Sequence, residues 1–537
     1  MIQLDGSTLE GGGQLVRNAI ALSALTSQPV RVTKIRGRRQ GARGLRPSHA
    51  AAIQCLLDIC GGSALGATVG SSEITFYPRG QNEGTQTDAS VADDDSTDNI
   101  TALLESMKLE PVTGVPPIKS EYNIRLTTPG SAFLIFQALY PYILYAGACA
   151  AARTAEKGES PPEFPIKLKM TGGTNVSFSP SYDYVSQVLI PNFARLGLPQ
   201  LKMTLKRRGW TGGRTNLGAV VFLIHPLEIQ KVDALPPLPN RQPACCPKLS
   251  TPCFPRINLD MMERGTITHI DITVLAPDVG FDEVGSGSGS IRRKGPKSGG
   301  KLGKGRESDY WEREGLEGSD AAADDSDPIE EQDLGGRSAP HSIREFVENR
   351  TFEAVFSGLN CQIGSTQGLQ PPTIRLYHSE PTRHYSHIYI LLVAHTSTGF
   401  RLGRDALFGS EGAQRSSGRS HQGAKDGKSR GKTKSKPSSG IRFIVEDMVA
   451  QCVSDLMDEL IGSDPSDSKG PLGGGKSRRV LDMFMRDQVV IFQALGSLGV
   501  AGEGEPAGVD QGGERDQKSL HTQTAMWVCR QMLGAES

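Results

Sequence analysis

The sequence predicts an α+β fold in which short strands and amphipathic helices alternate along the chain. Apolar residues follow strand-like patterns at 29–35, 73–77, 165–170 and 219–224, as expected for strands with a buried face. Helical apolar spacing recurs at 50–60, 130–147, 181–196, 441–461 and 480–495. The string IFQAL occurs twice, at 135–139 and 491–495. The two copies agree with a repeated α+β module.

Length and composition indicate a multidomain protein without an overall charge bias. A chain of 537 residues is too long for one compact core. Its 59 basic and 59 acidic residues balance, so any attraction to a polyanion must be local. Nine scattered cysteines fit reduced thiols better than a disulfide framework. No apolar run of membrane-spanning length and no signal peptide is evident, so we expect an intracellular protein without membrane contact.

Three segments differ from the rest in composition. Residues 91–99 are acidic and polar, which favours a surface loop. Residues 285–336 change from a basic Gly/Ser-rich run to an acidic run. Residues 411–440 contain eight Lys or Arg and two acidic residues. We expect the two longer segments to be disordered insertions, because they lack the apolar residues that a packed core requires.

Residues 470–477 match the GxxxxGK[ST] pattern of a phosphate-binding P-loop. That loop requires a buried strand immediately before its glycines, which holds it at the edge of a sheet. The residues that precede it here are SDPSDSK. The match is therefore interpreted as a coincidence.

The most informative stretch is 4–17, where Gly11, Gly12 and Gly13 join a predicted strand to a predicted helix. Backbone N–H groups at a glycine turn and the positive end of a helix dipole together favour an anion. Glu10 is placed to hold a metal, and Arg17 to contact a phosphate. The alternative is a tight turn whose glycines serve only backbone geometry.

Near the end of the sequence, residues 520–527 place His521 at the start of a predicted helix. A lone histidine there is more often a capping residue than a nucleophile. Four further motifs accompany it: residues 5–17 (DGSTLEGGGQLVR), 34–36 leading to 44–47 (KIR and GLRP), 171–175 (TGGTN) and 486–490 (RDQVV). With these five motifs in order, the sequence resembles the RNA 3′-terminal phosphate cyclase family.

The resemblance implies an enzyme that uses ATP to convert an RNA 3′-phosphate into a 2′,3′-cyclic phosphodiester. In such enzymes a histidine, here His521, forms a covalent adenylate and releases pyrophosphate. The AMP then passes to the RNA 3′-phosphate, and the 2′-hydroxyl closes the ring. A neutral imidazole is a suitable nucleophile near neutral pH. The resemblance also implies Mg²⁺ or Mn²⁺, an RNA partner with a 3′-phosphate, and a nuclear location, with a cytoplasmic one as an alternative.

The resemblance assigns a role to each matching position. Glu10 corresponds to the acidic residue near the metal. The phosphate- and RNA-binding positions are Gly11, Gly12, Gly13, Arg17, Arg39 and Arg43. The ATP-binding positions are Gln137, Pro180, Tyr184, Phe484, Asp487 and Gln488. Pro180 and Tyr184 would lie beside the adenine, where an aromatic face can stack. Ordinary alternatives are that Gln137 caps a helix, Asp487 forms a surface ion pair and Tyr184 belongs to the core.

The resemblance also implies an architecture: three repeated modules, each of two helices on a four-stranded sheet, interrupted by a small α+β domain. The first two modules would occupy residues 1–264 of the large catalytic domain. The inserted domain would occupy 265–410, with strands at 267–277 and 389–399, and 411–440 would be a disordered basic loop. The third module, with His521, would occupy 441–537 and is expected to be truncated, because family members continue into further strands.

The sequence departs from the family pattern at several positions. Phe484 stands where a tyrosine is usual. The loop after Arg39 is one residue longer, with Arg43 in place of a proline. After Arg208-Gly209-Trp210 the family's glycine run is replaced by TGGRTNLG. These differences affect the expected shape of the adenine and RNA-phosphate sites.

Two related families provide alternatives. The enolpyruvyl transferases have a similar repeated module, but their chemistry does not use a nucleophilic histidine. Non-catalytic relatives of the cyclases act in ribosome assembly and lack the histidine and much of the glycine and arginine set. The presence of His521, Glu10 and the three glycines favours the enzyme.

Overall fold

The computed structural model describes residues 1–39, 41, 43–78, 118–156, 164–211, 215–228, 252–281, 341–363, 371–408, 437–461, 479–498 and 519–534. The acidic segment at 91–99, the segment at 285–336 and the P-loop-like motif at 470–477 lie outside these residues. Most of the basic segment at 411–440 does so too. The exception is residues 437–440, which form the first turn of a helix rather than part of a loop.

The first module is a four-stranded sheet with two helices. Its strands are β1 (Ile2–Asp5), β2 (Val30–Thr33), β3 (Ser63–Leu65) and β4 (Ile74–Tyr77), in the order β1-β2-β4-β3. The helices α1 (Gly13–Thr26) and α2 (Pro47–Cys60) follow β1 and β2. Because β1 and β2 are parallel, their carboxyl ends lie at the same edge of the sheet. The glycine turn after β1 and the arginine-rich loop after β2 therefore meet at this edge.

The second module repeats this arrangement. Its strands are β5 (Glu121–Arg125), β6 (Ile166–Gly172), β7 (Leu201–Arg207) and β8 (Gly218–Ile224), in the order β5-β6-β8-β7. Helix α3 (Ala132–Glu156) packs on the inner face. The next helix, α4, consists of Tyr182–Tyr184, a π-helical turn at Val185–Leu189 and Ile190–Arg195. Phe136 of α3 stacks on Phe222 of β8 with ring centroids 4.2 Å apart.

The third sheet belongs to the inserted domain. Its strands are β9 (Ile267–Pro277), β10 (Thr373–Thr382), β11 (Tyr389–Thr396) and β12 (Arg401–Leu407), in the order β10-β9-β11-β12. The strands predicted at 267–277 and 389–399 correspond to β9 and β11. Helix α5 (Ile343–Ile363) packs against β9 and β10. One face of β9 contributes Ile270, Ile272 and Val274 to a second hydrophobic core.

Three helices make up the last part of the described chain: α6 (Pro437–Ile461), α7 (Met483–Ser497) and α8 (Leu520–Leu533). The sequence-based boundary at residue 441 assigns α6 to the third module. The structure instead packs α6 against α5 and β12, with Val445, Met448 and Leu456 in the core of the inserted domain. Helices α7 and α8 pack on each other, and α8 also packs on α1. Within the described residues after 408 there is no strand.

The predicted α+β class is confirmed by the three four-stranded sheets and eight helices that the described residues form. The first two sheets repeat one module, and the third sheet belongs to the inserted domain. The expectation that no segment reaches membrane-spanning length is wrong. Helix α3 continues past the predicted end at residue 147, and its Ala132–Ala155 stretch is long and apolar enough to span a bilayer. In its most apolar 18-residue window, 89% is buried inside the protein, as is common for core helices.

Candidate active site

Two helix N-termini converge to form the candidate site. Helix α1 begins at the glycine turn, and α8 begins at Leu520. The helices pack side by side, and the Glu10 N–H donates to Thr524 Oγ1 at 3.2 Å. Since both helix dipoles direct their positive ends here, the site favours an anion. The structure thus brings residues from opposite ends of the chain together.

His521 lies on the first turn of α8, with its side chain 52% exposed. Its Nδ1 lies 3.1 Å from Gln14 Oε1 and 3.4 Å from Glu10 Oε2. Gln14 Nε2 donates to the Asp487 carbonyl at 3.4 Å, which orients Oε1 toward the histidine. The Gln14 Oε1 acceptor, with the negative Glu10 carboxylate close by, holds the proton on Nδ1. The lone pair of a neutral His521 is therefore on Nε2.

The environment keeps His521 neutral. Partial desolvation and the positive charges of Arg39 and Arg17 lower its pKa from 6.5 to about 4. At pH 7 the imidazole is therefore unprotonated, which a nucleophilic role requires.

Glu10 is nearly buried, with 8% of its side chain exposed. Its Oε1 forms an ion pair with Arg39, and its buried Oε2 accepts no hydrogen bond from the described residues. A buried carboxylate oxygen with unused acceptor capacity suits a divalent cation. Mg²⁺ commonly binds one or two carboxylates together with water and substrate phosphates. The site therefore fits the metal that the resemblance implies.

The three glycines permit close approach at the start of α1. Gly11 has φ +59°, which L side chains rarely adopt. A Cβ on Gly12 would overlap the Glu10 carboxylate, and one on Gly13 would overlap the ring of His49. Gly12 is the N-cap of α1, and no described side chain caps that end. The first N–H groups of the helix are thus available to an anion.

A cluster of arginines surrounds this helix end. Arg17 is buried, and burial together with the charge of Arg36 lowers its pKa to about 10. Its Nε donates to Gln137 Oε1 at 2.9 Å. Arg36 and Arg46 also repel each other's charge, which contributes after burial to a lowered pKa of Arg36. Among the described residues, no carboxylate pairs with Arg17, Arg36 or Arg46, so a phosphate group would relieve the repulsion.

His49 lies beneath the cluster. Burial, followed by the charges of Arg17, Arg36 and Arg46, lowers its pKa to about 3. Its Nδ1 accepts from the Arg46 N–H at 3.2 Å, so the neutral ring carries its proton on Nε2, the atom beside Gly13. His49 is therefore a buried N–H donor facing the helix end.

Backbone strain is concentrated near the site. Leu9, Lys34 and Arg36 have φ values of +52°, +49° and +56°. Non-glycine residues in this region cost of order 1–3 kcal/mol and persist only where the surrounding structure enforces them. The two loops that present Glu10 and Arg36 are thus held in specific conformations.

Asp487 fixes the start of α8. Its Oδ1 accepts from Ser519 Oγ at 3.0 Å and from Thr522 Oγ1. Burial is the main cause of its raised pKa, about 6. In this structure Asp487 does not form the surface ion pair considered from the sequence. It positions the helix that carries His521.

Tyr184 is enclosed in the core, as the ordinary alternative had it. It is 2% exposed, and its hydroxyl donates to Asp482 Oδ1 at 2.7 Å. Its ring meets Phe484 edge-on, with centroids 6.1 Å apart, and the Arg404 guanidinium lies 4.7 Å from the Phe484 centroid. The Tyr184 face is therefore not open for stacking. Phe484 and Pro180 are only partly buried.

The remaining predicted site residues are Gln137, Gln488 and Arg43, and they lie in different parts of the structure. Gln137 joins the site through Arg17 and is not a helix cap. Gln488 is partly buried on the first turns of α7. Arg43 is exposed on the loop before α2, and nothing in the structure ties it to His521.

Sequence reasoning did not assign roles to several residues that the structure brings to the site: Gln14, Arg36, Arg46, His49, Ser519 and Thr522. Arg36 and Arg46 belong to quoted motifs, so an excess of arginine after β2 was available as a signal. His49 looks like an ordinary residue of an amphipathic helix. Its role becomes visible only when α2 is placed beside Gly13.

The sequence profile of the RNA 3′-terminal phosphate cyclase family matches residues 8–537. The chain belongs to this family. Curated relatives named RNA 3′-terminal phosphate cyclase include one from Desulfurococcus amylolyticus, 32% identical over 209 residues, covering 39% of this chain and 43% of the relative. The Pyrococcus furiosus protein is 32% identical over 209 residues, covering 39% and 45%. The Drosophila melanogaster protein is 31% identical over 198 residues, covering 37% and 40%. The chain thus spans about half the length of the cyclases it matches, or somewhat less.

Proposed function

We propose that this protein uses ATP to convert an RNA 3′-phosphate into a 2′,3′-cyclic phosphodiester, with His521 as the nucleotidyl carrier. The observation that carries the proposal is the geometry of His521. It is a half-exposed, neutral imidazole whose Nδ1 bonds to Gln14 Oε1 and lies 3.4 Å from Glu10 Oε2. It stands beside an arginine cluster and two helix N-termini, which together suit a triphosphate.

In the first step, Nε2 of His521 attacks the α-phosphorus of ATP. A P–N bond forms, the bond to the β-phosphate oxygen breaks, and pyrophosphate leaves. The proton stays on Nδ1, where Glu10 stabilises the positive charge that develops on the ring. No base is needed for this step, because the attacking nitrogen carries no proton.

The arginine cluster would bind the phosphates. Arg17, Arg36 and the N–H groups at Gly12 and Gly13 offer donors fixed before the substrate arrives. Glu10 would hold a divalent cation through Oε2. When bound, the cation supplies positive charge against the charge that develops on the leaving group.

Two further transfers complete the reaction. An oxygen of the RNA 3′-phosphate attacks the α-phosphorus of the histidine-bound AMP, the P–N bond breaks and neutral His521 is restored. The RNA 2′-oxygen then attacks the 3′-phosphorus. The bond from this phosphorus to the bridging anhydride oxygen breaks, and AMP leaves with that oxygen. The 2′-hydroxyl proton passes to solvent. The non-catalytic role in ribosome assembly is not favoured, since this chain retains the histidine and the phosphate-binding set.

The decisive experiment incubates the protein with α-³²P-labelled ATP and Mg²⁺ or Mn²⁺. A phosphoramidate predicts a protein-bound label that is lost in acid and stable in alkali. His521→Ala should abolish the label. His341→Ala removes an exposed histidine at the start of the inserted-domain helix and should label like the unaltered protein. A label retained in His521→Ala would exclude His521 as the carrier.

A further inference from the structure

The outer face of the second sheet carries a set of basic side chains that the proposed reaction does not use. Leu168, Val220 and Phe222 point from this sheet into the core, so residues of opposite parity face outward. The strand register arranges them in three rows: Glu121, Lys167, Leu223 and Lys202; Asn123, Lys169, Val221 and Thr204; Arg125, Thr171, Ala219 and Arg207.

A β-bulge completes the third row. The register of β7 on β8 shifts between Leu205 and Arg207, which leaves Lys206 without a position in the ladder. Arg207 therefore lies opposite Ala219 and shares its face. Bulges commonly re-aim a side chain in this way. Both Lys206 and Arg207 are exposed.

The charge of this face contrasts with that of the whole chain. The three rows hold five cations and one carboxylate, Glu121, whose oxygens lie 2.6 Å from Lys169 Nζ and 3.8 Å from Lys167 Nζ. The chain as a whole carries no formal net charge. Successive outward residues on one strand stand about 6.7 Å apart. The local excess of cations favours an extended polyanion.

The face continues toward the candidate active site. The N–H groups of Thr174 and Asn175 donate to the Gly209 carbonyl at 2.9 and 2.8 Å, so the loop after β6 lies beside the third row. Further along this loop, Ser179 Oγ bonds to Ser131 Oγ just before α3. That helix carries Gln137, the partner of Arg17.

An exposed aromatic residue lies on this connecting loop. Phe178 is 70% exposed and has φ +59°. Non-glycine residues with such backbone angles cluster at functional sites and ligand clamps, and here the strained residue presents an aromatic ring to solvent. Single-stranded nucleic acids are bound by basic grooves in combination with aromatic rings on which bases stack.

We propose that the RNA strand leading to the reactive 3′ end lies along this outer face, with its phosphates on Lys169, Lys202 and Arg207 and one base stacked on Phe178. This inference rests on the proposed function, because it takes RNA as the substrate. It assigns to the second module the binding of the RNA body, while the first module and α8 hold the reacting groups.

The test uses two 3′-phosphorylated substrates, a dinucleotide and a single-stranded RNA of about twenty nucleotides. In the triple variant K169Q/K202Q/R207Q, the preference in kcat/KM for the longer RNA should fall roughly tenfold. Its dependence on salt should weaken by about 2 in log–log slope, since each lost phosphate contact removes about 0.7. The control R256Q/R350Q/R383Q removes three exposed arginines elsewhere. It should keep both the preference for the longer RNA and the salt dependence. A triple variant that matches this control overturns the proposal.

Phe178→Ala tests the stacking contact separately. It should lower the same preference by about tenfold with the salt slope kept, because stacking is not ionic. Phe443→Ala, which removes a ring that is 69% exposed on α6, is the matched control. An effect of equal size on both substrates would contradict the assignment.

Binding of a twenty-nucleotide RNA with a 3′-hydroxyl end separates this inference from the proposed reaction, because that RNA cannot be cyclised. The unaltered protein should bind it, measured by fluorescence anisotropy, and the triple variant should bind about tenfold more weakly. Equal binding, or no binding by the unaltered protein, overturns the inference whatever the adenylation assay shows. A missing histidine label with intact binding overturns only the proposed function.

Discussion

The protonation of His521 depends on a balance of nearby charges. Glu10 lies 3.4 Å from Nδ1 and alone would favour the imidazolium. Arg39 offsets that carboxylate by pairing with it, and Arg17 adds a second positive charge. The net effect, together with desolvation, is a histidine that stays neutral well below pH 7. The same arrangement keeps Glu10 close enough to stabilise the charged ring that the proposed nucleotidyl transfer would form.

This balance predicts an unusual pH dependence. With a pKa of about 4, His521 is neutral above that value, so the single-turnover rate of adenylation should change by less than twofold between pH 8 and pH 5. A histidine with an ordinary pKa near 6.5 would lose roughly thirtyfold over the same range. In Arg39→Gln the carboxylate of Glu10 is no longer offset, so the pKa should rise and the rate should fall steeply below about pH 6.

Arg38 provides the matched control for this experiment. It is adjacent to Arg39 and exposed, and it is not among the residues that shift the pKa of His521. Arg38→Gln should therefore keep the flat profile. A steep acid limb near pH 6.5 in the unaltered protein would contradict the predicted neutral histidine.

At the residue scale, the sequence was informative where a site is made by neighbours in the chain. Gly11, Gly12 and Gly13 lie in one continuous motif with Glu10 and Arg17, so their chemistry could be inferred together. His49 and Gln14 could not be inferred in this way. Each acts on a group that is distant in sequence or on another helix, and only the packing of α1, α2 and α8 brings the partners together.

At the element scale, the first turn of α8 is held by a hydrogen bond within the helix and by another to α7. Ser519 is the N-cap, and its Oγ accepts from the Thr522 N–H at 3.0 Å. The same hydroxyl donates to Asp487 Oδ1 at 3.0 Å, which links α8 to α7. Because His521 lies within this turn, its position depends on the cap rather than on the body of the helix.

Ser519→Ala should therefore loosen the turn that carries His521, the proposed nucleophile. Loss of an N-cap costs about 1 kcal/mol, so backbone amides of residues 520–524 should exchange hydrogen faster. The adenylation rate should fall about tenfold, with little change in the exchange of α1. Measurement of both quantities connects the cap to the chemistry.

Ser497→Ala is the control, because Ser497 lies at the end of α7 and its hydroxyl donates to its own helix, to the Ala494 carbonyl. It should leave the exchange of α8 and the adenylation rate close to those of the unaltered protein. Equal rates in Ser519→Ala would show that Asp487 and Thr522 suffice to hold His521.

The elements that could be predicted are those whose apolar pattern reflects burial. Helix α2 and strand β9 agree with their predicted segments to within a few residues. Strands β7 and β10 were not predicted, because both lie at sheet edges with many exposed side chains. An edge strand with polar side chains loses the alternation on which strand prediction depends. Lys202 and Arg207 of β7 belong to the basic face that is inferred to contact RNA.

At the scale of the whole molecule, the inserted domain docks on the large domain through both apolar and polar contacts. Leu391, Val393 and Phe400 of the inserted domain join the hydrophobic core of the large domain, and hydrogen bonds accompany this packing. Asp482 accepts from the Tyr184 hydroxyl and from the Gly403 N–H, at 2.7 and 2.8 Å. Asn192 pairs with the backbone of Arg401 in both directions. Such hydrogen bonds fix the orientation of the inserted domain on the large domain, because each one requires its own distance and angle.

The domain boundaries were predictable at one end only. The family resemblance placed the start of the inserted domain at residue 265, and the strand pattern at 267–277 agrees with β9. The end of the domain was not visible, because α6 follows the basic segment in sequence and yet packs against β12. A long insertion between packed elements conceals which core the next helix joins, since sequence proximity no longer reports spatial proximity.

Arg208 joins the two domains and provides a test of their docking. It makes two hydrogen bonds to Asp183, at 2.7 and 3.0 Å, and a third, from Nε, to Glu380 of β10 at 2.7 Å. Arg208→Ala leaves Asp183, which is 3% exposed, without its cation, and this should cost about 3–5 kcal/mol. Thermal unfolding should therefore begin at a lower temperature, and the backbone amides of β10 should exchange hydrogen faster. Arg208→Lys should be intermediate in stability, because an ammonium lacks the planar fork of a guanidinium.

Arg350→Ala is the control. It breaks the exposed ion pair with Glu353 and should cost at most about 0.5 kcal/mol of stability. Equal stability of the Arg208→Ala and Arg350→Ala variants would show that apolar packing alone holds the domains together.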